Sequence, residues 1–295
     1  MRLFLVPHLR GAALALCLLG IAAAPSSAAI PVHAHRGGPY AMGEPLYPEQ
    51  TMPAFRNAAR RGWVLELDAK LTEDRVPLAI HDATLDRTTV CTGEVRDRTA
   101  RQILRKCPSD VLGSPPSGVP GFDAGLPWRF SAKRVRVPTL VEVLRMARRR
   151  RASVNLEMKN IPTDSDFDPS DAYARAVVGA VRASRLPARL LMIQSFWPPN
   201  LAVAKRELPR AQTALLTLQP MNPGGPAFAA ANDYDALAPQ FSAADFALVA
   251  QEAHALNLDV IPWTLNDAPS VAAAAGGGAD AVITDDPPMA ERALR

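Results

Sequence analysis

Cysteine and histidine are scarce in this chain, at three and five among 295 residues, and aromatic side chains make up only 6%. No apolar run reaches the ~20 residues that a membrane-spanning helix needs. No Gly-Lys-Ser/Thr follows Gly37-Gly38, so that pair is not a nucleotide loop, and Gly276-Gly277-Gly278 reads as a helix C-terminal cap. Neither sign of charge dominates, with a formal net charge of +4. What is present is an ordinary globular balance, 48% hydrophobic and 21% charged, which excludes a disordered, collagenous or fibrous chain. The 28 prolines point to many firm loops, and the length fits one full-sized catalytic domain.

Residues 1–29 read as an export signal. Arg2 and Arg10 form its basic part, an apolar run covers 11–24, and Ser26-Ser27-Ala28 or Ser27-Ala28-Ala29 offers the cleavage site. A membrane anchor is the competing reading, and the shortness of the run weighs against it. Cys17 has no small residue before it, which argues against lipoprotein processing. Cutting after Ala29 removes two arginines and no acid, so the net charge falls from +4 to +2. The expected mature protein, residues 30–295, is periplasmic or extracellular and has no stable membrane insertion. No nucleic-acid footprint is expected either. The one basic run, Arg145 and residues 148–151, falls at a helix end, where cations complement the helix dipole. Two cysteines remain, Cys91 and Cys107, and an oxidising compartment predicts a disulfide between them, worth about 3 kcal/mol on the chain-entropy model. Two free thiols are the alternative.

Beyond the signal, short apolar runs alternate with helical patterns, which indicates parallel strands joined by crossover helices. Eight strands are predicted, at 31–35, 63–68, 153–158, 190–196, 212–217, 236–238, 260–264 and 281–284. Helices are predicted between them, including 52–61, 140–150, 171–184, 243–256 and 268–275. Eight such pairs suggest a closed (β/α)8 TIM barrel. Two segments depart from the alternation. Residues 65–81 read as a hairpin with its turn centred between 73 and 74, which would set His81 opposite roughly Glu66. Residues 107–136, rich in Pro, Gly and Ser, read as a long loop or small inserted cap.

In a parallel barrel the chemistry sits at the C-terminal strand ends. Glu66 and Asp68 share a strand face, as do Glu157 and Lys159 on another strand. Convergence of Glu66, Asp68 and Glu157 would need a cation, and an all-oxygen set favours Ca²⁺, Mg²⁺ or Mn²⁺ over Zn²⁺. The alternative is a local salt bridge for each. His35 and His81 approach the same point and suit a general acid and base. His33 and His254 read as structural. Arg36 and Lys159 supply the positive charge that an anionic phosphate requires, and phosphate ester hydrolysis is the chemistry implied.

These residues fall in motifs. They are His35-Arg36-Gly37, then Pro48-Glu49-Gln50-Thr51 with Ala54-Phe55, then Glu66-x-Asp68, then His81-Asp82 followed by Leu85-Asp86-Arg87-Thr88-Thr89. Asn155-Leu156-Glu157-Met158-Lys159, Gln194-Ser195-Phe196, Pro262-Trp263-Thr264-Leu265-Asn266 and Ile283-Thr284-Asp285-Asp286-Pro287 follow in order. From His35 through Pro287 the chain resembles the glycerophosphodiester phosphodiesterases. The resemblance implies a (β/α)8 barrel that hydrolyses a small glycerophosphodiester to an alcohol and glycerol 3-phosphate. It implies one divalent ion, Ca²⁺ or Mg²⁺, on Glu66, Asp68 and Glu157, with His35 and His81 as the acid/base pair. It also implies phosphate contacts from Arg36 and Lys159, support of metal or glycerol by Glu49, and a pocket wall at Trp263. In similar enzymes the substrate's own glycerol hydroxyl can attack phosphorus before water completes the reaction.

The chain departs from the family pattern at Gln50, where Asn is usual, and in the length of 107–136. Three other functions compete. An amidohydrolase-type metal barrel is prompted by His33-x-His35 but lacks histidines on the middle strands. A phospholipase D-like relative would act on lysophospholipid or sphingomyelin with similar residues. A non-catalytic exported barrel would merely bind phosphodiesters.

Overall fold

The computed structural model describes residues 29–109, 135–218 and 225–295. The export signal and most of the 107–136 segment therefore lie outside the described residues. Among the described residues eight strands run parallel: β1 (Val32–Ala34), β2 (Val64–Leu71), β3 (Val154–Met158), β4 (Leu191–Ser195), β5 (Gln212–Thr217), β6 (Ala236–Pro239), β7 (Asp259–Val260) and β8 (Val282–Thr284). Each is followed by a helix: α1 (Met52–Arg61), α2 (Leu140–Arg150), α3 (Ala172–Ser184), α4 (Pro198–Glu207), α5 (Gly225–Ala231), α6 (Phe246–Ala255), α7 (Ala268–Gly276) and α8 (Pro287–Ala293). The strands pair in the order β7-β6-β5-β4-β3-β2-β1-β8, a barrel-like α/β sheet. Between its two edges run backbone bonds from Asp280 N to Val260 O, Ile283 N to Pro262 O and Leu265 N to Ile283 O, each 2.9–3.0 Å. No helix among the described residues is long and apolar enough to cross a membrane.

Strand alternation sorts the side chains into two layers. Leu65, Leu67 and Ala69 of β2, Val154, Leu156 and Met158 of β3, and Ile193 of β4 pack outward into one large core with the helices. Full burial of each Leu or Ile there stabilises by about 1.5–3 kcal/mol. The inward residues of β4 to β8 include Met192, Ala214, Leu216, Ala236, Ala238 and Ile283, a separate apolar cluster. The inward residues of β2 and β3 are Glu66, Asp68, Lys70, Asn155 and Glu157, all buried.

Local sequence sets the element ends. α1 carries Pro53 in its first turn and stops at Gly62 in the left-handed region, φ 82°. α2 opens with a reciprocal capping box between Thr139 and Glu142. It ends on Arg148, Arg149 and Arg150, so the basic run does stand in the last turn of a helix.

The hairpin forms with a register shifted by one residue from expectation. Ala69 pairs with Ala79, Lys70 with Leu78 and Leu71 with Pro77. Three residues, Glu73 to Arg75, make the turn, with Arg75 at φ 58°, because Thr72 Oγ1 accepts from Val76 N at 3.0 Å and Thr72 N donates to Val76 O. This register sets residue 81 opposite Leu67 instead of Glu66. The regular part of β7 is Asp259–Val260, but donation from Ile261 N to Leu237 O and from Trp263 N to Pro239 O carries its bonding to β6 past Pro262, through most of the predicted 260–264. The segment after β2 adds a short helix, Ala100–Lys106, and brings the Cys91 and Cys107 sulfurs to 2.11 Å with Cα atoms 5.3 Å apart.

Candidate active site

The C-terminal ends of β1, β2, β3 and β8 carry the charged side chains. His35 follows β1 directly, in a tight turn of residues 35–37. Arg36 takes φ 52°, a left-handed conformation that non-glycine residues adopt at a cost of order 1 kcal/mol and that recurs at functional sites. Gly37 and Gly38 are dictated by space: a Cβ on Gly37 would lie 2.8 Å from Ala54 Cβ, and one on Gly38 2.8 Å from Pro287 Cγ. The turn can therefore lie flat against α1 and α8, which turns the Arg36 N–H to donate to Glu66 Oε2 at 2.8 Å.

Glu66, Asp68 and Glu157 converge, each offering an oxygen within 4.8 Å of the others, all three buried. Alternation on β2 and the register Asp68 opposite Glu157 produce this directly. Burial foremost, with the nearby Asp68 charge, pushes the Glu66 carboxyl up to about 8. Burial likewise pushes Glu157 up to about 7, against the pull of Lys159. Burial acts upward on Asp68 too, but the His81, Lys159 and Arg36 charges outweigh it and hold this carboxyl low. Gln194 Nε2 donates to Glu66 Oε1 at 3.0 Å and Gln50 Nε2 to Asp68 Oδ2 at 2.6 Å. Asp68 Oδ1 keeps no hydrogen-bond partner among the described residues, and Glu157 Oε1 has the Lys159 ammonium at 3.1 Å. Buried, hard carboxylate oxygens with spare lone pairs fit a divalent cation such as Ca²⁺ or Mg²⁺.

Two histidine–aspartate pairs flank the cluster. His35 Nδ1 lies 2.6 Å from Asp285 Oδ1, and Asn266 Nδ2 donates to the other Asp285 oxygen at 2.6 Å. Burial lowers the proton affinity of His35, but the Asp285 charge overcomes it and the net shift is upward. His81 Nδ1 lies 2.6 Å from Asp82 Oδ1. Here burial prevails, aided by Arg36, and lowers His81 to about 4. The two rings are thus biased to opposite protonation states.

Arg36 Nε stands 3.7 Å from Asp68 Oδ2, and this buried N–H has no hydrogen-bond acceptor among the described residues. Lys159 Nζ stands 3.1 Å from Glu157 Oε1 and 5.6 Å from the Phe196 ring centre. Trp263 donates its indole N–H to Ala238 O at 2.8 Å and meets Phe196 edge to face, on the apolar side of the same opening.

The sequence-predicted residues largely assemble. The Glu49 carboxylate faces cations. Arg87 donates to both its oxygens at 2.8 Å, and Arg36 approaches at 3.4 Å. His33 does not join His35; it turns into the barrel floor, where its Nδ1 lies 3.2 Å from Asn155 Nδ2. His254 is remote, on α6 against Asp280 at 2.8 Å.

Sequence reasoning gave no role to Asp285, Asn266, Asp82, Gln50 or Gln194. Asp285 had a readable signal: Ala34 pairs with Thr284 in the β1–β8 register, so His35 must neighbour Asp285 once the first and last strands are paired. Gln50 was legible only as a departure from a family pattern. Its backbone at φ 55°, fixed by donation of its N–H to Arg36 O, aims its amide at Asp68.

A buried acidic cluster, two histidines and two cations at one end of a parallel α/β barrel-like sheet define a phosphoric ester hydrolase. The family model described as the glycerophosphoryl diester phosphodiesterase family matches residues 35–289, and the chain belongs to that family. It is 26% identical over 264 residues to the glycerophosphodiester phosphodiesterase of Caldanaerobacter subterraneus subsp. tengcongensis, across 87% of this chain and 94% of that one. Among solved structures it is similar to an Oleispira antarctica phosphodiesterase in complex with the product sn-glycerol-3-phosphate, at 21% identity and TM-score 0.71 over 90% of this chain and 97% of that one. It is also similar to the glycerophosphodiester phosphodiesterase of Agrobacterium tumefaciens, at 22% identity and TM-score 0.64 over 89% and 99%. The chain is accordingly a phosphoric diester hydrolase.

Proposed function

We propose that this protein hydrolyses glycerophosphodiesters to an alcohol and sn-glycerol 3-phosphate with one divalent cation and two histidines. The observation that carries the reading is the convergence of three buried carboxylates between two oppositely biased imidazoles. Glu66, Asp68 and Glu157 would hold Ca²⁺ or Mg²⁺, which when bound would neutralise charge on the phosphoryl group and polarise it. Arg36, with its unpartnered Nε–H, and Lys159 grip the remaining phosphate oxygens. His81, neutral at pH 7, takes the proton from the substrate's attacking glycerol hydroxyl as its oxygen bonds to phosphorus, and once the alcohol has left, water opens the resulting cyclic phosphate to sn-glycerol 3-phosphate with the two histidines in exchanged roles. His35, biased toward its protonated form by Asp285, gives a proton to the departing alcohol oxygen as the old P–O bond breaks. Phe196 and Trp263 form the wall beside which the organic part of the substrate lies.

The same reading takes the sheet as a closed (β/α)8 barrel, supported by the bonds between residues 260–265 and 280–283. It takes residues 1–29 as a cleaved export signal, residues 107–136 as a cap that tunes the accepted alcohol, and Cys91–Cys107 as a disulfide of the exported protein. Phosphorus NMR of residues 30–295 with glycerophosphocholine tests the activity. The expected result is the appearance of sn-glycerol 3-phosphate, abolished by a chelator. Release of phosphocholine, or no conversion with either ion by a folded sample, would overturn it. Lysophosphatidylcholine is the parallel substrate, because Leu218, 61% exposed, follows the C-terminal end of β5.

A further inference from the structure

We propose that Arg87 is a positioning residue for this reaction, a fork that fixes the tautomer of His81 and keeps Glu49 from claiming Arg36. The inference rests on the role of His81 as proton acceptor given above. Arg87 stands six residues beyond His81, in the irregular segment after β2, and belongs to no strand end. Its Nε donates to Asp82 Oδ2 at 2.7 Å and its Nη2 to Asp82 Oδ1 at 3.0 Å. Its Nη1 and Nη2 donate to the two oxygens of Glu49, both at 2.8 Å. Four of the five guanidinium N–H groups are thus committed to two carboxylates from two different loops.

Each carboxylate has a second contact that reaches the chemistry. Asp82 Oδ1 is also 2.6 Å from His81 Nδ1. Although partial burial opposes it, bonding from His81 and Arg87 holds the Asp82 carboxyl in its ionised form, which only accepts hydrogen bonds. Nδ1 must then carry the proton of the neutral ring, and Nε2 is left as the acceptor. Without Arg87, Asp82, with a quarter of its side chain exposed, is free to turn to water, and the ring loses its tautomer preference. Glu49 is only 11% exposed, and its other described cation is Arg36 at 3.4 Å. Removing Arg87 leaves that carboxylate to draw Arg36 toward itself and away from the phosphate. One point charge could not serve both ends, whereas a planar fork can.

The expected effects divide accordingly. Arg87→Met lowers kcat by about 10- to 100-fold, through His81, and raises KM, through Arg36. In a His81→Ala background the same substitution leaves kcat within about 2-fold while the rise in KM persists, because the His81 arm is already gone. An equal loss of kcat in both backgrounds, or none in the wild-type background, overturns the proposal. Imidazole ¹⁵N NMR at neutral pH gives a reading that needs no substrate, so it stands apart from the success or failure of the proposed activity. His81 is expected as the single Nδ1–H tautomer in the wild type and as a mixture in Arg87→Met, with His35 unchanged. A single His81 tautomer retained in the variant overturns the proposal. Should Arg87→Met fail to fold, Arg87→Lys preserves the charge without the fork and is expected to show an intermediate kcat; wild-type kcat in that variant would contradict the inference.

Discussion

The two halves of the barrel-like sheet have the same outer apolar layer and opposite inner faces. On β1 to β3 the inward side chains are His33, Glu66, Asp68, Lys70, Asn155 and Glu157, all buried. On β5, β6 and β8 they are Ala214, Leu216, Ala236, Ala238 and Ile283. The apolar half needs no explanation beyond burial. The polar half pays a desolvation cost that only a network can offset. Asn155 Nδ2 donates to Gln194 Oε1 at 2.9 Å, Gln194 passes the bond on to Glu66, and Lys70 Nζ meets Asp164 and Asp166 at 2.7 Å each. The oxygen the network leaves over is Asp68 Oδ1, and Glu157 Oε1 meets only Lys159, beside the place where a cation would enter. Stability and chemistry are thus divided between the halves, and substitutions should separate them.

The largest effect is expected from Glu66→Ala. It removes one of three carboxylates and should lower turnover at least about a thousandfold, the loss of several kcal/mol of transition-state stabilisation, while circular dichroism shows the fold retained. Unchanged turnover would detach the cluster from the chemistry. His81→Ala should cost about 10²- to 10⁴-fold in kcat with divalent-ion binding intact; a parallel loss of ion affinity would make the ring a structural part of the cluster. In the other half, Leu216→Ala should cost about 2–5 kcal/mol in urea unfolding and leave kcat near wild type. A large kcat loss there would dissolve the division.

The smallest effect concerns pH and sits in the polar half. Burial lowers His33 from 6.5 to about 4. The unfolded chain therefore takes up a proton near pH 6.5 that the folded chain refuses until about 4. The contribution is complete above the unfolded value, declines as pH falls through this window, and levels off below it. It amounts to at most about 3 kcal/mol. Urea unfolding of the wild type and His33→Gln at pH 7 and pH 5 checks this, and the variant should show the shallower dependence.

Much of the division was legible in the residues themselves. The bounds of α1, α2 and β5 followed from the alternation of apolar runs and helical patterns, and Glu66-x-Asp68 announced its shared face through the period of two. The fit at His81 was less direct. Its neighbourhood followed from the hairpin, but the register missed by one, because a Thr72 side-chain bond to Val76 closes a three-residue turn that no alternation pattern encodes. The 260–264 run was legible as extended chain, and its bonds to β6 do continue past Pro262 to Trp263. Asp285, Asn266 and Gln194 went unassigned because their roles depend on which strands become neighbours, which is tertiary information. Gly37 and Gly38 were legible as something other than a nucleotide loop, and the close approach they permit is to α1 and α8.

The central claim is that the polar half of the interior exists to receive one divalent cation. Calorimetric titration of residues 30–295 with Ca²⁺ and with Mg²⁺, alongside Glu66→Gln, tests it most directly. The account predicts one equivalent bound by the wild type, with affinity lost in the variant. Equal binding by both proteins, or none by a folded wild type, would contradict it.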